Sequence, residues 1–533
     1  MLILTKLFSC FFFVQSIPVQ PSIETLQKTI DLHAGEDVKP NIYPIYKYVP
    51  NEDITIHQAY LRLAKLNDKS RTPSFLFESS VKGDTVDRYS FIGVNPSKII
   101  KTGDDPKVYS KELCDVDPIT VLEQELSNYR QAELPGLPKY SGGATGYISY
   151  DCVKYFEPKT KRPLKDILQL PEAVFMFCDL VVAFDHVYQR FQIICNIHID
   201  DDDDDALNLE KAYKQGAEAI AEIERVLLAD VPNSEVFPHQ KPIKLNQDFT
   251  SNIGQKGYEA HVTKLKEHIL KGDIIQAVPS QRIARPTELH PFNIYRHLRT
   301  VNPSPYLFYI DLIDFQIIGA SPELLVQSDS NGRIVTHPIA GTIPRGKTNE
   351  EDETNAEILR ASLKDRAEHI MLVDLARNDV NRVCQPTTNK VDKLLTIQRF
   401  SHVMHLVSEV SGTLREDKTR FDAFRSIFPA GTTSGAPKVK AMELISELEK
   451  EKRGVYAGAV GHWGYDGKTM DTCIALRTMV FKDGVAYLQA GGGIVFDSDE
   501  YEEYMETMNK MRANNNTIVE AEKIWAEKVG TTE

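Results

Sequence analysis

Short strand-like runs between residues 43 and 199 restrict the fold of this chain more than any other feature. These runs are apolar or alternate between apolar and polar residues, as in Ser74–Phe77, Tyr89–Val94 and Leu180–Phe184. Gly, Pro and Asn separate them, and these residues are typical of the turns between strands. The first half of the chain is therefore predicted to be rich in β-sheet.

Segments with helical spacing become frequent after residue 205 and alternate with further strand-like runs. No internal repeat is visible, which argues against a solenoid. The pattern predicts an α+β (mixed α/β) architecture. The predicted helices are Ala206–Leu228, Tyr258–Lys271, Glu350–Ala376, Thr419–Phe428 and Val439–Glu449, and the predicted strands are Ile274–Val278, Gln316–Ala320 and Val485–Ala490.

Charge and composition mark the boundaries between regions. The acidic run Asp200–Asp205 is predicted to be an exposed loop, because like charges repel and are costly to bury. A stretch rich in Pro and polar residues predicts a linker at 231–248. The chain is thereby divided into an N-terminal extension at 1–20, an N-terminal region at 21–230 and a C-terminal region at 249–530.

Composition favours a small-molecule function. The net charge of -14 disfavours nucleic acid and anionic membranes as partners, because phosphate binding needs clustered Lys and Arg. Seven scattered cysteines without metal or disulfide spacing predict a reducing, cytoplasmic compartment. The extension contains Leu7–Val14 (LFSCFFFV), which resembles the core of a secretory signal but lacks a clear cleavage pattern.

Two acidic pairs are candidates for a Mg²⁺ site. Asp365 and Glu368 stand three residues apart on a predicted helix, and so do Glu503 and Glu506. Mg²⁺ commonly takes one or two protein carboxylates and leaves its other positions to water and substrate oxygens. The alternative is a solvated helix surface, or acids that complement a helix dipole.

Other residues suggest anion binding and proton transfer. The backbone at Gly491–Gly493 is free of side chains and is able to offer N–H groups to a carboxylate. A tight turn at the end of a strand, with no ligand, would show the same sequence. Glu323 and His405 are candidates for proton transfer, but a lone His on an apolar strand is more often a core residue. From the residues alone, we expect a Mg²⁺-dependent enzyme acting on a small anionic substrate.

Six motifs follow one another in the second half: SPEL (Ser321–Leu324), PIAGT (Pro338–Thr342), EHIMLVDLARND (Glu368–Asp379), PAGTTSGAPK (Pro429–Lys438), DTCIALRT (Asp471–Thr478) and QAGGGIV (Gln489–Val495). Together they closely resemble the chorismate-utilising enzyme family. In the first half, FLFESS (Phe75–Ser80), DRYSFIG (Asp87–Gly93) and GGATGYISYD (Gly142–Asp151) resemble the N-terminal region of its anthranilate-forming members.

The resemblance implies an intertwined sandwich of two antiparallel sheets with helices outside and the active site between them. It implies that Glu368 and Glu506 coordinate Mg²⁺, with Asp365 and Glu503 nearby through water. Asp365 stands where a Glu is expected, and Gly492 replaces a common alanine. The implied contacts to the carboxylates of chorismate come from Gly341, Thr342, Tyr456, Arg477 and Gly491–Gly493.

The resemblance also implies roles in catalysis. Glu323 would be the acid at the C4 hydroxyl of chorismate, and His405 would remove the C2 proton. Thr342 and Gln276 would also belong to the catalytic residues. Relatives that add water carry Lys at the position of Gln276, and aminodeoxychorismate synthases typically carry Lys at that of Ala340. The expected reaction is therefore the conversion of chorismate and ammonia to anthranilate and pyruvate.

Partners follow from the same resemblance. None of the seven cysteines lies in a G-x-C-x-G sequence, so ammonia is expected from a separate glutamine amidotransferase subunit. The remaining alternatives are an aminodeoxychorismate synthase and a non-catalytic tryptophan sensor. Positions that bind the feedback inhibitor L-tryptophan in relatives correspond here to Glu78, Ser79, Pro305, Tyr306, Leu307, Val460 and His462.

Overall fold

The computed structural model describes residues 18–33, 35, 38–51, 54–79, 88–199, 205–231, 237–400 and 403–531. The apolar run Leu7–Val14, residues 200–204 of the acidic run and residues 232–236 of the linker lie outside this described part. At Asp205, the last residue of the acidic run, a helix begins. No described helix is both long enough and apolar enough to cross a membrane.

The strands match the sequence pattern closely. Those before the predicted linker are β1 (Ile42–Pro50), β2 (Ser74–Glu78), β3 (Tyr89–Gly93), β4 (Lys98–Thr102), β5 (Gly143–Ile148), β6 (Ala173–Cys178), β7 (Leu180–Asp185) and β8 (Arg190–His198). Those after it are β9 (Thr250–Ser251), β10 (Gln276–Ala277), β11 (Ser280–Pro286), β12 (Tyr306–Asp311), β13 (Phe315–Ser321), β14 (Leu324–Ser328), β15 (Arg333–Thr336), β16 (Ile339–Pro344), β17 (Lys390–Arg399), β18 (Val403–Thr413), β19 (Gly435–Ala436), β20 (Ala459–Gly464), β21 (Met470–Ile474), β22 (Thr478–Lys482) and β23 (Val485–Gly491).

Helices surround these strands and are mostly amphipathic. They are α1 (Ile23–His33), α2 (Ile56–Ala64), α3 (Pro118–Leu126), α4 (Val153–Phe156), α5 (Asp205–Leu228), α6 (Gly254–Leu270), α7 (Pro291–Val301), α8 (Asn349–Ala361), α9 (Leu363–Asn381), α10 (Arg420–Ile427), α11 (Lys438–Glu449) and α12 (Glu500–Val529). The predicted α+β class is confirmed.

Two large antiparallel sheets dominate the described part of the chain. The first has 11 strands in the order β1-β8-β7-β3-β2-β12-β13-β22-β23-β11-β9, and the second has 10, with β17 beside β18 off the path β16-β18-β15-β14-β21-β20-β5-β6-β4. Strands from both sides of 231–248 meet in each sheet. Phe77 of β2 pairs with Phe308 of β12, and Gly146 of β5 pairs with Gly461 of β20.

Apolar side chains explain how the layers stack. One core lies between the sheets, where Phe75 and Phe308 of the first meet Val174 and Val460 of the second. Two further cores lie between each sheet and its outer helices. Most strands therefore bury both faces, which accounts for the nearly continuous apolar runs in β6 and β8, whereas β17 has no buried residue.

Two predicted elements differ from the structure. The helix predicted at Glu350–Ala376 is two helices, α8 and α9, because Ser362 breaks the first and caps the second by accepting a hydrogen bond from the Asp365 N–H. The strand predicted at Ile274–Val278 contracts to β10, which pairs over only two residues with β19.

A buried ion pair joins α12 to the first sheet. The guanidinium of Arg285 in β11 donates two hydrogen bonds of 2.7 Å to the two oxygens of Glu522. Both side chains are 1% exposed, and Thr287 donates a third bond to the same carboxylate. The pair satisfies two charges that would otherwise be costly to bury, and it lies on the helix that also carries Glu503 and Glu506.

Candidate active site

The predicted base lies on β18, opposite a bulge in β16. The register between these strands shifts at Gly341, which has a φ of 70° and so favours residues without a side chain. The bulge turns the Gly341 carbonyl toward His405, and 2.8 Å separates that oxygen from His405 Nδ1. The Thr342 hydroxyl lies 3.1 Å from the same nitrogen.

This contact fixes the protonation of the His405 ring. A carbonyl oxygen only accepts, so Nδ1 carries the proton and Nε2 keeps its lone pair. Nε2 is buried and has no hydrogen-bond partner in the described part of the chain. Burial, with nearby Arg477 and Lys510, lowers the pKa of His405 to about 4, so the ring is a neutral base at physiological pH.

Glu323 has the opposite protonation behaviour. It lies between β13 and β14 with 5% of its surface exposed, and burial raises the pKa of its carboxyl to about 8. Thr432 and the backbone of Ile339 only partly offset that shift. The side chain also lines a small cavity with Thr432 and Asp379. At neutral pH, Glu323 is therefore a protonated acid able to donate.

Carboxylates from two helices meet at the glycine turn after β23. A Cβ added to Gly492 would lie 2.9 Å from Glu503 Oε2 and 3.8 Å from Glu506 Oε1. A Cβ added to Gly493 would lie 3.4 Å from Glu368 Oε1 on α9. Glycine here leaves room for these side chains, so Glu368, Glu503 and Glu506, three of the four carboxylates predicted from sequence, face the same turn.

The structure refines the roles within these pairs. Glu503 is the buried member, and its Oε2 has no hydrogen-bond partner among the described residues, whereas Oε1 accepts from Ser498. Glu506 is half exposed and pairs with Lys510 at 2.7 Å. Asp365 is turned toward the cap residue Ser362 and toward Gly341.

These residues fit a Mg²⁺ ion. Within the described ranges, no three His, Cys, Asp or Glu side chains are grouped closely enough to enclose a metal on their own. Mg²⁺ needs only one or two protein carboxylates, with water and substrate oxygens filling its other positions. A cation at the turn would also compensate the unpaired Oε2 of Glu503.

Gln276 links α9, which carries Glu368, to the glycine turn at Gly491–Gly493. Its Nε2 donates a hydrogen bond of 2.9 Å to Glu368 Oε1. The same nitrogen would lie 2.4 Å from a Cβ added to Gly493. Gln276 is buried, and an amide side chain is not a base. It can orient a neutral nucleophile but cannot activate water by taking its proton.

Arg477 and Tyr456 are candidates for binding an anion. No hydrogen bond or ion pair joins the guanidinium of Arg477 to another described residue, although burial lowers its pKa. The Tyr456 hydroxyl would lie 3.1 Å from a Cβ added to Gly491. A partly buried cation without a partner among the described residues is suited to a substrate carboxylate.

A second site forms where the two sheets face each other. A cavity of about 680 Å³ is lined by all the residues predicted to bind tryptophan: Glu78, Ser79, Pro305, Tyr306, Leu307, Val460 and His462. The ring of Tyr140 lies 4.2 Å from that of His462, so the cavity has an aromatic wall. Its size and partly apolar lining are typical of a small-molecule site.

The Glu78 carboxylate is less available to bind a ligand than was expected from the sequence. Its carboxylate accepts a hydrogen bond of 2.6 Å from Tyr295 and forms a two-bond contact with Arg299. Arg299 therefore already neutralises the charge that was expected to bind an ammonium group. Asp471, on the second sheet, also lines the cavity and accepts hydrogen bonds from Tyr306 and Gln327.

Three residues that contact the glycine turn or line the cavity were not predicted from the sequence. Lys510 donates to the Gly491 carbonyl at 2.9 Å, and its position four residues after Glu506 was an available signal. Tyr258 accepts a hydrogen bond from the Gly492 N–H, and Tyr140 lines the cavity. Neither tyrosine has a local signal, because each is brought to its site by tertiary packing.

Comparison with known proteins agrees with this geometry. A family model described as chorismate binding enzyme matches residues 72–516. Anthranilate synthase component 1 of Saccharomyces cerevisiae is 65% identical over 518 residues, covering 97% of this chain and 99% of that protein. A probable anthranilate synthase component 1 of Schizosaccharomyces pombe is 56% identical over 96% of this chain and 98% of its own length.

Solved structures extend the agreement to the fold. Anthranilate synthase component I of Streptococcus pneumoniae matches with a TM-score of 0.70 and 36% identity, covering 87% of this chain and all of that one. The predicted two-sheet fold is thereby confirmed. The chain belongs to the chorismate binding enzymes and, within them, to the anthranilate synthase component 1 family.

Proposed function

We propose that this chain converts chorismate and ammonia to anthranilate, pyruvate and water. The observation that carries the proposal is the opposite protonation of its two buried transfer groups. Glu323 holds a proton at neutral pH, whereas His405 offers a lone pair on Nε2. A reaction that loses a hydroxyl and then a ring proton needs one acid and one base in these states.

In the first step, ammonia forms a bond to C2 of the ring while the C4–O bond breaks. Glu323 donates its proton to the departing hydroxyl, which leaves as water. The proton released by the added nitrogen restores the acid. Gln276 is placed to hold ammonia through its amide oxygen, because its Nε2 is already committed to Glu368.

In the second step, His405 Nε2 takes the C2 proton as the C3–O bond of the side chain breaks. The ring becomes aromatic, and the released enolpyruvate takes up the proton to become pyruvate. Ala340 supports this outcome, because a Lys at that position would form a covalent adduct with the ring. Arg477, Tyr456 and the turn Gly491–Gly493 would hold the substrate carboxylates, although the Gly492 N–H already donates to Tyr258.

Mg²⁺ is proposed to bind at Glu368 and Glu506, with Glu503 and Asp365 nearby through water. When bound there, it would stabilise the ring carboxylate of the substrate as charge shifts. Arg477 would supply the positive charge that faces the substrate carboxylate, and the glycines of the turn leave room for the Glu503 and Glu506 side chains. Glu503 is held ready by Ser498, whose hydroxyl donates to its other oxygen at 2.6 Å.

The ammonia is proposed to come from a separate glutamine amidotransferase subunit, since no cysteine of this chain lies in a G-x-C-x-G sequence. L-tryptophan is proposed to bind in the cavity lined by Ser79, Pro305 and His462 and to inhibit the enzyme. The six described cysteines are unpaired, which suits a reducing compartment, and we propose a cytoplasmic enzyme.

The first prediction concerns pH. At a fixed concentration of free ammonia, kcat/KM for chorismate should stay level and then fall above about pH 8, as Glu323 loses the proton that burial retains. His405, with a pKa of about 4, stays a neutral base throughout this range. Glu323→Gln should lower the rate by about 10²- to 10⁴-fold and abolish the alkaline fall. An unchanged alkaline limb in that variant would contradict the assignment.

The second prediction concerns the metal. Glu368→Gln should raise the Mg²⁺ concentration for half-maximal activity by more than about tenfold, because a carboxylate ligand is replaced by a neutral amide. Asp374→Asn removes an exposed charge from the same helix and serves as the matched control. The thermal midpoint of both variants should match that of the parent. Equal Mg²⁺ dependence in the two variants would refute the metal assignment.

The third prediction concerns the cavity. Ser79→Ala should raise the tryptophan concentration for half inhibition by about tenfold, since one hydrogen bond from the cavity wall is lost. The kcat without tryptophan should remain that of the parent, because Ser79 lies outside the catalytic site. Ser127→Ala, an exposed serine at the end of α3, is the control. Unaltered tryptophan sensitivity in Ser79→Ala would count against this site.

A further inference from the structure

Arg453 is a fully buried cation that makes no contact with the proposed reacting groups. Its side chain is 1% exposed and donates four hydrogen bonds, all to protein acceptors. Two go to the oxygens of Glu449, at 2.8 and 2.7 Å. The other two go to main-chain carbonyls, those of Thr433 at 2.9 Å and Val278 at 2.7 Å.

The two carbonyls belong to the segments that flank the proposed nucleophile and acid. Val278 follows Gln276, and Thr433 follows Thr432, the neighbour of Glu323. These segments pair through the two residues of β10 and β19 and through two further bonds, from the Ile275 N–H to the Ala436 carbonyl at 2.7 Å and from the Val278 N–H to the Ser434 carbonyl at 3.0 Å. A ladder this short leaves their relative position to be fixed by other contacts.

Glu449 extends the same link to the glycine turn. It accepts hydrogen bonds from the N–H and the hydroxyl of Ser280, at 2.7 and 2.9 Å. Ser280 pairs with Gly491 at the end of β23. The Arg453 guanidinium also lies over the ring of Tyr456, with its carbon 5.6 Å from the ring centroid. The Arg453–Glu449 pair therefore contacts the backbone at three places: at Val278, at Thr433 and at Ser280, which pairs with the glycine turn.

Stability alone does not explain such a pair. A buried ion pair can often be replaced by apolar residues of similar volume without loss of stability, because the cost of desolvating two charges offsets their attraction. What apolar residues cannot supply is a rigid fork that holds two carbonyls and a carboxylate at fixed angles. Lys lacks this geometry, since its charge is a single point on a flexible stem.

We propose that Arg453, together with Glu449, is a positioning residue for the amination of chorismate. It sets the distance between the ammonia held at Gln276 and the acid Glu323 by locking their two segments together. The inference rests on the proposed function, but it concerns residues that touch neither substrate nor metal. The expected signature is a loss of kcat that exceeds the change in KM, because the Arg453 guanidinium bonds directly to the segments beside Gln276 and Glu323, whereas Gly491 stays paired with Ser280 in the longer β11–β23 ladder.

The test compares Arg453→Lys with Arg285→Lys, using ammonium as the nucleophile. Arg285 forms an equally buried two-bond pair with Glu522 in the second half of α12, so both variants should unfold at lower temperature. Assayed well below those midpoints, Arg453→Lys should lose about 30- to 100-fold in kcat, while its chorismate KM changes less than about fivefold. Arg285→Lys should keep kcat within about twofold of the parent.

Glu449→Gln provides a second variant if Arg453→Lys fails to fold. It keeps the shape and one acceptor, so a loss of about tenfold in kcat is expected, again with little change in KM. Parental kcat in either variant would overturn the inference, and so would an equal loss in Arg285→Lys. If the parent enzyme itself forms no anthranilate, the proposed function fails instead, which separates the two outcomes.

Discussion

The pairing of β2 with β12 is the interaction on which the rest of the structure depends. It joins the strands of the first half to those of the second in one continuous sheet, with Glu78 opposite Leu307. The pairing of β5 with β20 does the same in the other sheet and sets Thr145 opposite His462. Without these ladders, neither the core between the sheets nor the cavity lined by Glu78 and His462 would form.

Burial is the second constraint, since it sets the protonation states of Glu323 and His405. The same desolvation that raises the pKa of Glu323 lowers that of His405, so one environment prepares an acid and a base at neutral pH. The bulge at Gly341 adds direction, because its carbonyl leaves Nε2 of His405 as the free nitrogen. The Arg477 guanidinium and the Oε2 atom of Glu503 have no partner among the described residues, so a bound ligand or ion is able to compensate their charges.

Much of this was predictable from local sequence, and the remainder depends on contacts distant in the chain. Alternation and turn residues predicted the strands, and the seven residues that the family resemblance indicated for tryptophan all line one cavity. The break at Ser362 was missed because a long helical pattern hid a capping serine. The burial of Glu503 and the link through Arg453 were also missed, because both depend on residues far away in the sequence. Arg453, for example, bonds to Val278, which is 175 residues away.

The most direct test of the central claim is the balance of products. The purified chain would be incubated with chorismate, Mg²⁺ and excess ammonium at mildly alkaline pH, without any partner, and anthranilate fluorescence and pyruvate would be followed together. The account predicts that both rise in equal amounts and that both stop when the metal is chelated. Consumption of chorismate without release of pyruvate would contradict it, as would an absence of any consumption.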